Sequence, residues 1–336
     1  MTGSTTELLT SLAELVSLDT VSPMSAEALD RCEEFLGRSG ARRVREGVFV
    51  VGDTTSPTWL YTHVDTKPAE PLARWRTDPW RLTPVDDTLV GLGVSDSKFQ
   101  LLTALAVADP RRHCVVVDTC EETDGCADAA ALIEQHRPRT LVVCDGSARD
   151  GHDVFNGMVG QVDGFLTLDT GSPRSHPARS TTDVLGLLSG LAAEVAELPG
   201  RFTVTGISAE DSVRSLSLQS MDVRFDWRFT GPAAEHVDRF LARRPHRLRH
   251  SVLHPVWGRR TVVLDAGCSP DPAPFSSRFG GARWTPPERC VVVAGGLPDN
   301  RNHQPNEFVR VGQLGHYRRR LEQVLARLGE DEGARR

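Results

Sequence analysis

Trp59-Leu60-Tyr61-Thr62-His63-Val64-Asp65 is a short β-rich run that ends on an imidazole and a carboxylate. The same pattern recurs along the chain. Cys114-Val115-Val116-Val117 leads to Glu121 and Glu122, and Leu141-Val142-Val143-Cys144 leads to Asp145. Cys290-Val291-Val292-Val293-Ala294 reaches His303 after a short loop. Apolar runs of this length, without in–out alternation, read as strands covered on both faces. Helical patterns separate or flank them. Leu8, Leu9, Leu12, Leu15 and Val16 share one helical face, and a second helix is predicted after Ser25, stopping near Gly40, with Leu29, Cys32 and Leu36 inward. Residues 99–108 and 127–135 read as helices, and Leu314, Tyr317, Leu321, Val324 and Leu328 mark a last one. The fold class is α/β, with a mostly parallel, doubly wound sheet.

The middle of the chain reads differently. Residues 162–168 alternate like a strand with one wet face. Residues 182–197 are helical, 202–207 and 216–229 extended, 233–243 helical and 248–256 extended. That order is a split α/β sandwich of ferredoxin-like type, predicted as an insertion over 155–258. The first domain then comprises 1–154 and 259–336, with a strand at 262–264 and a loop-rich stretch at 259–287.

Of 336 residues, 39% are hydrophobic and 25% charged, which is ordinary for a globular protein, and the length suggests two domains. A net charge of −6 argues against a nucleic-acid partner. No apolar run is long enough for a membrane span, and the polar, helix-patterned start does not read as a secretory signal. Seven cysteines without a CxxC pair are expected to be reduced thiols in a cytoplasmic protein. The chain has only two lysines, Lys67 and Lys98, and both fall in the segments that carry the chemistry below.

Ligands of open α/β sheets bind beyond the carboxyl ends of the strands. His63 and Asp65, the Glu121–Glu122 pair, Asp145 and His303 all follow strands, and Asp96 stands at the expected start of helix 99–108. Imidazole and carboxylate donors suit zinc without thiolates. Five candidate ligands exceed one open tetrahedral ion; two metals sharing a carboxylate fit the count better. Of two adjacent glutamates, one can coordinate while its neighbour stays free as a base. In His63-Val64-Asp65 strand periodicity puts both side chains on one face, so Asp65 can hold the imidazole from its second nitrogen. Each feature alone has an ordinary explanation: a surface pair, a solvated acidic face, a helix cap, a turn. Their shared sheet edge is what independent explanations do not supply.

Several segments together resemble acetylornithine deacetylase and its relatives, succinyl-diaminopimelate desuccinylase, aminoacylase and glutamate carboxypeptidase. They are His63-Val64-Asp65-Thr66-Lys67-Pro68, Trp75-Arg76-Thr77-Asp78-Pro79-Trp80-Arg81-Leu82, Gly91-Leu92-Gly93-Val94-Ser95-Asp96-Ser97-Lys98, Glu121-Glu122-Thr123 and Asn302-His303-Gln304-Pro305-Asn306-Glu307. The resemblance implies a zinc-peptidase-like catalytic domain holding two Zn2+ per subunit, with Co2+ as an alternative. Asp96 would bridge them, His63 and Asp145 completing one position and Glu122 and His303 the other. Glu121 would be the general base toward a water between the metals, and Asp65 the partner of His63. The insertion would be a lid and dimerisation domain. In it His176 would help bind the scissile carbonyl oxygen, and Arg224 would lie near a substrate carboxylate, with Arg214 and Arg228 as competitors.

The sequence also departs from that pattern. Lys67 stands where valine is common, Phe99 where glycine usually follows the lysine, and Asp145 where the nearest branch has glutamate. Asp211-Ser212-Val213-Arg214 replaces an Asn-rich stretch, and Ser276-Ser277-Arg278-Phe279 lacks the usual Asp-Ala segment. These changes lie where substrate is gripped. The expected activity is hydrolysis of the amide bond of a small N-acyl amino acid. The alternatives are a dipeptidase or carboxypeptidase of the same family, and an inactive binding homologue. Gly91 and Gly93 do not form a dinucleotide loop, Trp75 and Trp80 pack the connection onto the sheet, and Cys120 and Cys126 read as small buried residues.

Overall fold

The computed structural model describes residues 5–124, 127–149, 151–169, 184–208, 220–229, 234–252, 268–269 and 287–333, which divide into two compact units. The first opens with α1 (Thr5–Ser17) and α2 (Ala26–Gly37). Ser25 caps α2 by accepting from the Ala28 N–H at 3.1 Å, which satisfies a donor left free in the first turn. Four strands follow: β1 (Arg42–Arg45), β2 (Val48–Gly52), β3 (Thr58–His63) and β4 (Thr83–Val85). Next come β5 (Thr88–Val90), α3 (Phe99–Val107), β6 (His113–Asp118), the single turn α4 (Glu121–Asp124) and α5 (Ala127–His136). β7 (Thr140–Val143) and β8 (Val154–Phe155) precede the second unit.

That unit runs β9 (Gly160–Asp169), α6 (Val184–Ala196), β10 (Arg201–Ser208), β11 (Ser220–Phe229), α7 (Ala234–Leu241) and β12 (His246–Val252). Its sheet is antiparallel throughout, in the order β10-β11-β9-β12. Alternation along β11 buries Met221, Val223, Phe225, Trp227 and Phe229, and Leu191, Val237 and Phe240 from the two helices join the same cluster. The first unit then resumes with β13 (Cys268–Ser269), β14 (Arg289–Val293), β15 (Phe308–Arg310) and α8 (Val311–Gly333).

The main sheet has the order β1-β2-β6-β3-β7-β14-β8-β13. Its centre, β6-β3-β7-β14, is parallel, as the continuous apolar runs require. The sheet is mostly parallel, as expected, with antiparallel pairs toward its margins: β1–β2, β2–β6 and β14–β8. β1, with three arginines in four residues, carries no apolar signal and lies at the edge, half exposed. Leu12, Leu15, Val16, Leu102, Tyr317, Leu321 and Leu328 pack with Leu60, Val115, Val142 and Val291 into one core. A small separate sheet, β15-β5-β4, takes β4 and β5 from the connection between β3 and Asp96 and β15 from the residues just before α8. The expected strand at 262–264 lies outside the described residues, as does Cys126. Among the described residues no helix is long and apolar enough to cross a membrane.

Candidate metal centre

Parallel strands end on the same edge, and the chemistry collects there. His63 is the last residue of β3, the glutamate pair follows β6 and Asp145 follows β7. His303, in the loop after β14, adopts φ +61°, a conformation costly for a side-chain-bearing residue outside a special turn. The ends are tied together: Val64 N–H donates to the Asp118 carbonyl at 2.9 Å, and Cys144 N–H to that of Tyr61 at 2.8 Å.

Asp96 is not the cap of a regular helix start. It lies in a distorted turn, Val94–Lys98, with φ −122° and ψ 90°, and α3 begins at Phe99. The turn is held by Glu307, whose buried carboxylate accepts from the N–H groups of Gly93, Ser95 and Asp96 at 2.8–2.9 Å. Burial pushes the Glu307 carboxyl up to about 7, against those bonds. Gly93 has φ +70°, and a Cβ there would sit 2.3 Å from Thr66 Cγ2, so only glycine fits. Ser97 Oγ donates to the His63 carbonyl at 2.9 Å, docking the turn onto β3.

This scaffold points Asp96 between two imidazoles. Its Oδ1 is 3.2 Å from His63 Nε2 and its Oδ2 is 3.1 Å from His303 Nε2. Asp145 Oδ1 lies 3.6 Å from His63 Nε2, and Glu122 Oε1 lies 2.8 Å from His303 Nε2. Two groups result, His63–Asp96–Asp145 and Asp96–Glu122–His303, each with donor atoms within 4.8 Å of one another. Asp65 is fully buried. Its Oδ1 is 3.4 Å from His63 Nδ1, and its carboxylate takes the N–H of Glu121 at 3.1 Å and of Glu122 at 2.9 Å. The hydrogen bond to His63 Nδ1 comes from the Asp65 main-chain carbonyl, at 3.1 Å, so the residue orients the histidine through its backbone and the glutamate pair through its carboxylate.

The electrostatics fit a cation. Glu122 Oε1 and His303 Nε2 lie 2.8 Å apart and form, with Asp96, one compact group of donor atoms. Burial opposes the charge on His303, but Asp96 and Glu122 outweigh it and push the imidazolium up to about 11. Burial also opposes ionisation of Asp96, yet the bonds to His303 and His63 hold its carboxyl well below the usual range. Glu121 goes the other way: burial raises its carboxyl well above the carboxylate range, opposed by His63 and reinforced by Glu122 and Asp145. A carboxyl raised by burial beside a cation site is suited to passing a proton. The imidazole and carboxylate donors match the preference of Zn2+.

Of the residues singled out from sequence, His63, Asp65, Asp96, Glu121, Glu122, Asp145 and His303 converge. Arg224 lies in the second unit, exposed on β11, and Arg228 there pairs with Asp226 at 3.0 Å. His176 and Arg214 lie outside the described residues. Two participants were given no role from sequence, Glu307 and Asn302, whose amide donates to Asp96 Oδ2 at 3.2 Å; Lys67, noted only as one of two lysines and as a departure from the motif, has its ammonium 2.9 Å from Glu122 Oε2. Lys67, Trp75, Leu92 and Pro305, with Asp96, Glu122 and His303 of the centre itself, line a small depression with a volume of about 10 Å3. Trp75 is half-buried and donates to the Ala69 carbonyl at 2.9 Å, a bond within the connection itself.

Fold and centre together define an α/β protein with a candidate two-cation site at the carboxyl edge of its sheet. Comparison with known proteins narrows that definition. A family profile described as peptidase family M20/M25/M40 matches residues 59–327, and the chain belongs to that family. Among solved structures it is similar to an M20 family metallo-carboxypeptidase from Sulfolobus solfataricus (16% identity, 95% of this chain and 98% of the other, TM-score 0.68). It is also similar to a di-peptidase from Saccharomyces cerevisiae (14% identity, 97% of each chain, TM-score 0.62). A third likeness is to a dinuclear metal binding peptidase of the M20 family from Bacillus subtilis (12% identity, 95% and 97% coverage, TM-score 0.59). At these identities the likeness shows the fold. The acetylornithine deacetylase branch is not singled out by these matches.

Proposed function

We propose that the chain is a two-cation amidohydrolase that cleaves the amide bond of a small N-acyl amino acid. The observation that carries this reading is Asp96, with one carboxylate oxygen toward each of two imidazoles, at 3.2 and 3.1 Å. Asp145 and Glu122 would complete the two positions, and Zn2+ is the proposed ion. Bound there, such ions polarise a carbonyl and bring water's pKa down to about 7. Glu121 takes the proton from the attacking water and passes it to the leaving amine. Asp65 keeps Glu121 and His63 in register for that exchange, through the glutamate pair's N–H groups and the imidazole's second nitrogen. His176 and Arg224, within a lid that also pairs two subunits, are proposed to grip the carbonyl oxygen and the substrate carboxylate.

A second reading, a dipeptidase or carboxypeptidase, is favoured by the family description and by the likeness to a metallo-carboxypeptidase and a di-peptidase. Peptide and acyl amides present the same carbonyl to the centre. A panel of N-acyl amino acids against dipeptides, with and without a chelator, tests both. Faster turnover of N-acyl amino acids, abolished by the chelator and restored by Zn2+ or Co2+, is expected. Preference for dipeptides moves the assignment to the second reading, and hydrolysis indifferent to the chelator overturns both. A well-folded protein that turns over neither set in the presence of metal points to a binding homologue.

A further inference from the structure

Lys67 follows His63 and Asp65 by a few residues, at a position where the motif resemblance leads one to expect valine. Its side chain is about one third exposed, and its ammonium meets Glu122 twice, at Oε2 (2.9 Å) and at the main-chain oxygen. The Glu122 side chain is 4% exposed, so its two oxygens have separate surroundings. Oε1 faces His303 Nε2 at 2.8 Å, and Oε2 faces the ammonium. The other terminal acid, Asp145, is placed differently. It accepts from the Gly146 N–H at 2.5 Å, and among the described residues it forms no ion pair with a lysine or arginine.

Two physical consequences follow from this asymmetry. A carboxylate that gives one oxygen to an ammonium has one oxygen left for a cation. A positive charge held one carboxylate away also repels a second cation, and burial strengthens that repulsion by lowering the local dielectric. We propose that Lys67 confines Glu122 to a single ligating oxygen and makes Asp96–Glu122–His303 the weaker, later-filling cation position. Lys67 is thus a positioning residue acting through Glu122, and the inference rests on the two-cation reading above.

The test uses the metal-free full-length protein and Co2+ alone, followed by ligand-field absorption and by equilibrium dialysis with elemental mass spectrometry. The parent is expected to fill in two steps of unequal affinity. K67M should tighten the second step by about tenfold or more, the scale on which groups just outside a ligand shell act, and leave the first unchanged. K67R, which keeps the charge, should stay nearer the parent. K67Q keeps an N–H for the Glu122 carbonyl without the charge, and gives the same reading should K67M lose its circular-dichroism signature. A second step that is unchanged or weaker in the neutral variants, with the first intact, overturns the inference, because Lys67 would then be a bystander or a support for Glu122. Saturation of parent and variants at one cobalt per chain overturns the two-cation reading itself, a failure distinct from the first.

Discussion

Glu121 and Glu122 are neighbours with the same functional group, and their surroundings assign them different work. Glu122 faces His303 at 2.8 Å and Lys67 at 2.9 Å, so its charge is met on both oxygens. Glu121 is raised by burial and by the acids around it. Glu121→Gln keeps shape and removes the proton carrier, so it should retain the parent's metal content and lose turnover by about 10²–10⁴-fold. Steady-state kinetics beside elemental analysis checks this; parental turnover in a metal-replete variant removes Glu121 from the role. At this scale the candidate ligands were legible because imidazoles and acids stood at strand ends in one order. Glu307 and Asn302 were not. They act on Asp96 from more than 200 positions away, and nothing local marks an acid as the anchor of three N–H groups. Lys67 was legible as a departure from a pattern, but its partner was not.

The turn Val94–Lys98 shows what separates an element's presence from its shape. A helix start before Phe99 followed from the apolar pattern of 99–108, and α3 is there. The turn that presents Asp96 has non-helical φ and ψ at Asp96 and Ser97, imposed by Glu307 from the far end of the chain. Gly93 is the local trace of that geometry. In Gly93→Ala, a Cβ 2.3 Å from Thr66 Cγ2 on a left-handed backbone should cost about 1–2 kcal/mol for the dihedral alone, with the clash in addition. It should also lower metal content, since the same turn carries Asp96. Denaturant midpoints and elemental analysis measure both, and a variant equal to the parent in each would show the turn to be tolerant. The strands of the sheet centre were legible because burial on both faces writes itself as unbroken apolar runs. β1 was not, since an arginine-rich edge strand has no such mark, and the three-residue strands β4, β5 and β15 are too short for a period.

At the scale of the whole molecule, each unit has its own core, one around α1, α3, α8 and the large sheet, the other around α6, α7 and the antiparallel sheet. The α/β class and the β-α-β-β-α-β order of the second unit were readable from the change in pattern, from unbroken apolar runs to alternation. The antiparallel margins of the large sheet were not, because pairing direction at an edge depends on connections that hydropathy does not record. The sheet's role in the proposed function is to bring the ends of β3, β6, β7 and β14 together, so that residues 240 positions apart, His63 and His303, flank one carboxylate. The most direct measurement is anomalous scattering at the zinc edge from crystals of the zinc-loaded protein. Two peaks about 3.5–4 Å apart, one on each side of Asp96, are expected. A single peak, or metal bound away from His63, Asp96 and His303, would contradict the shared-carboxylate centre.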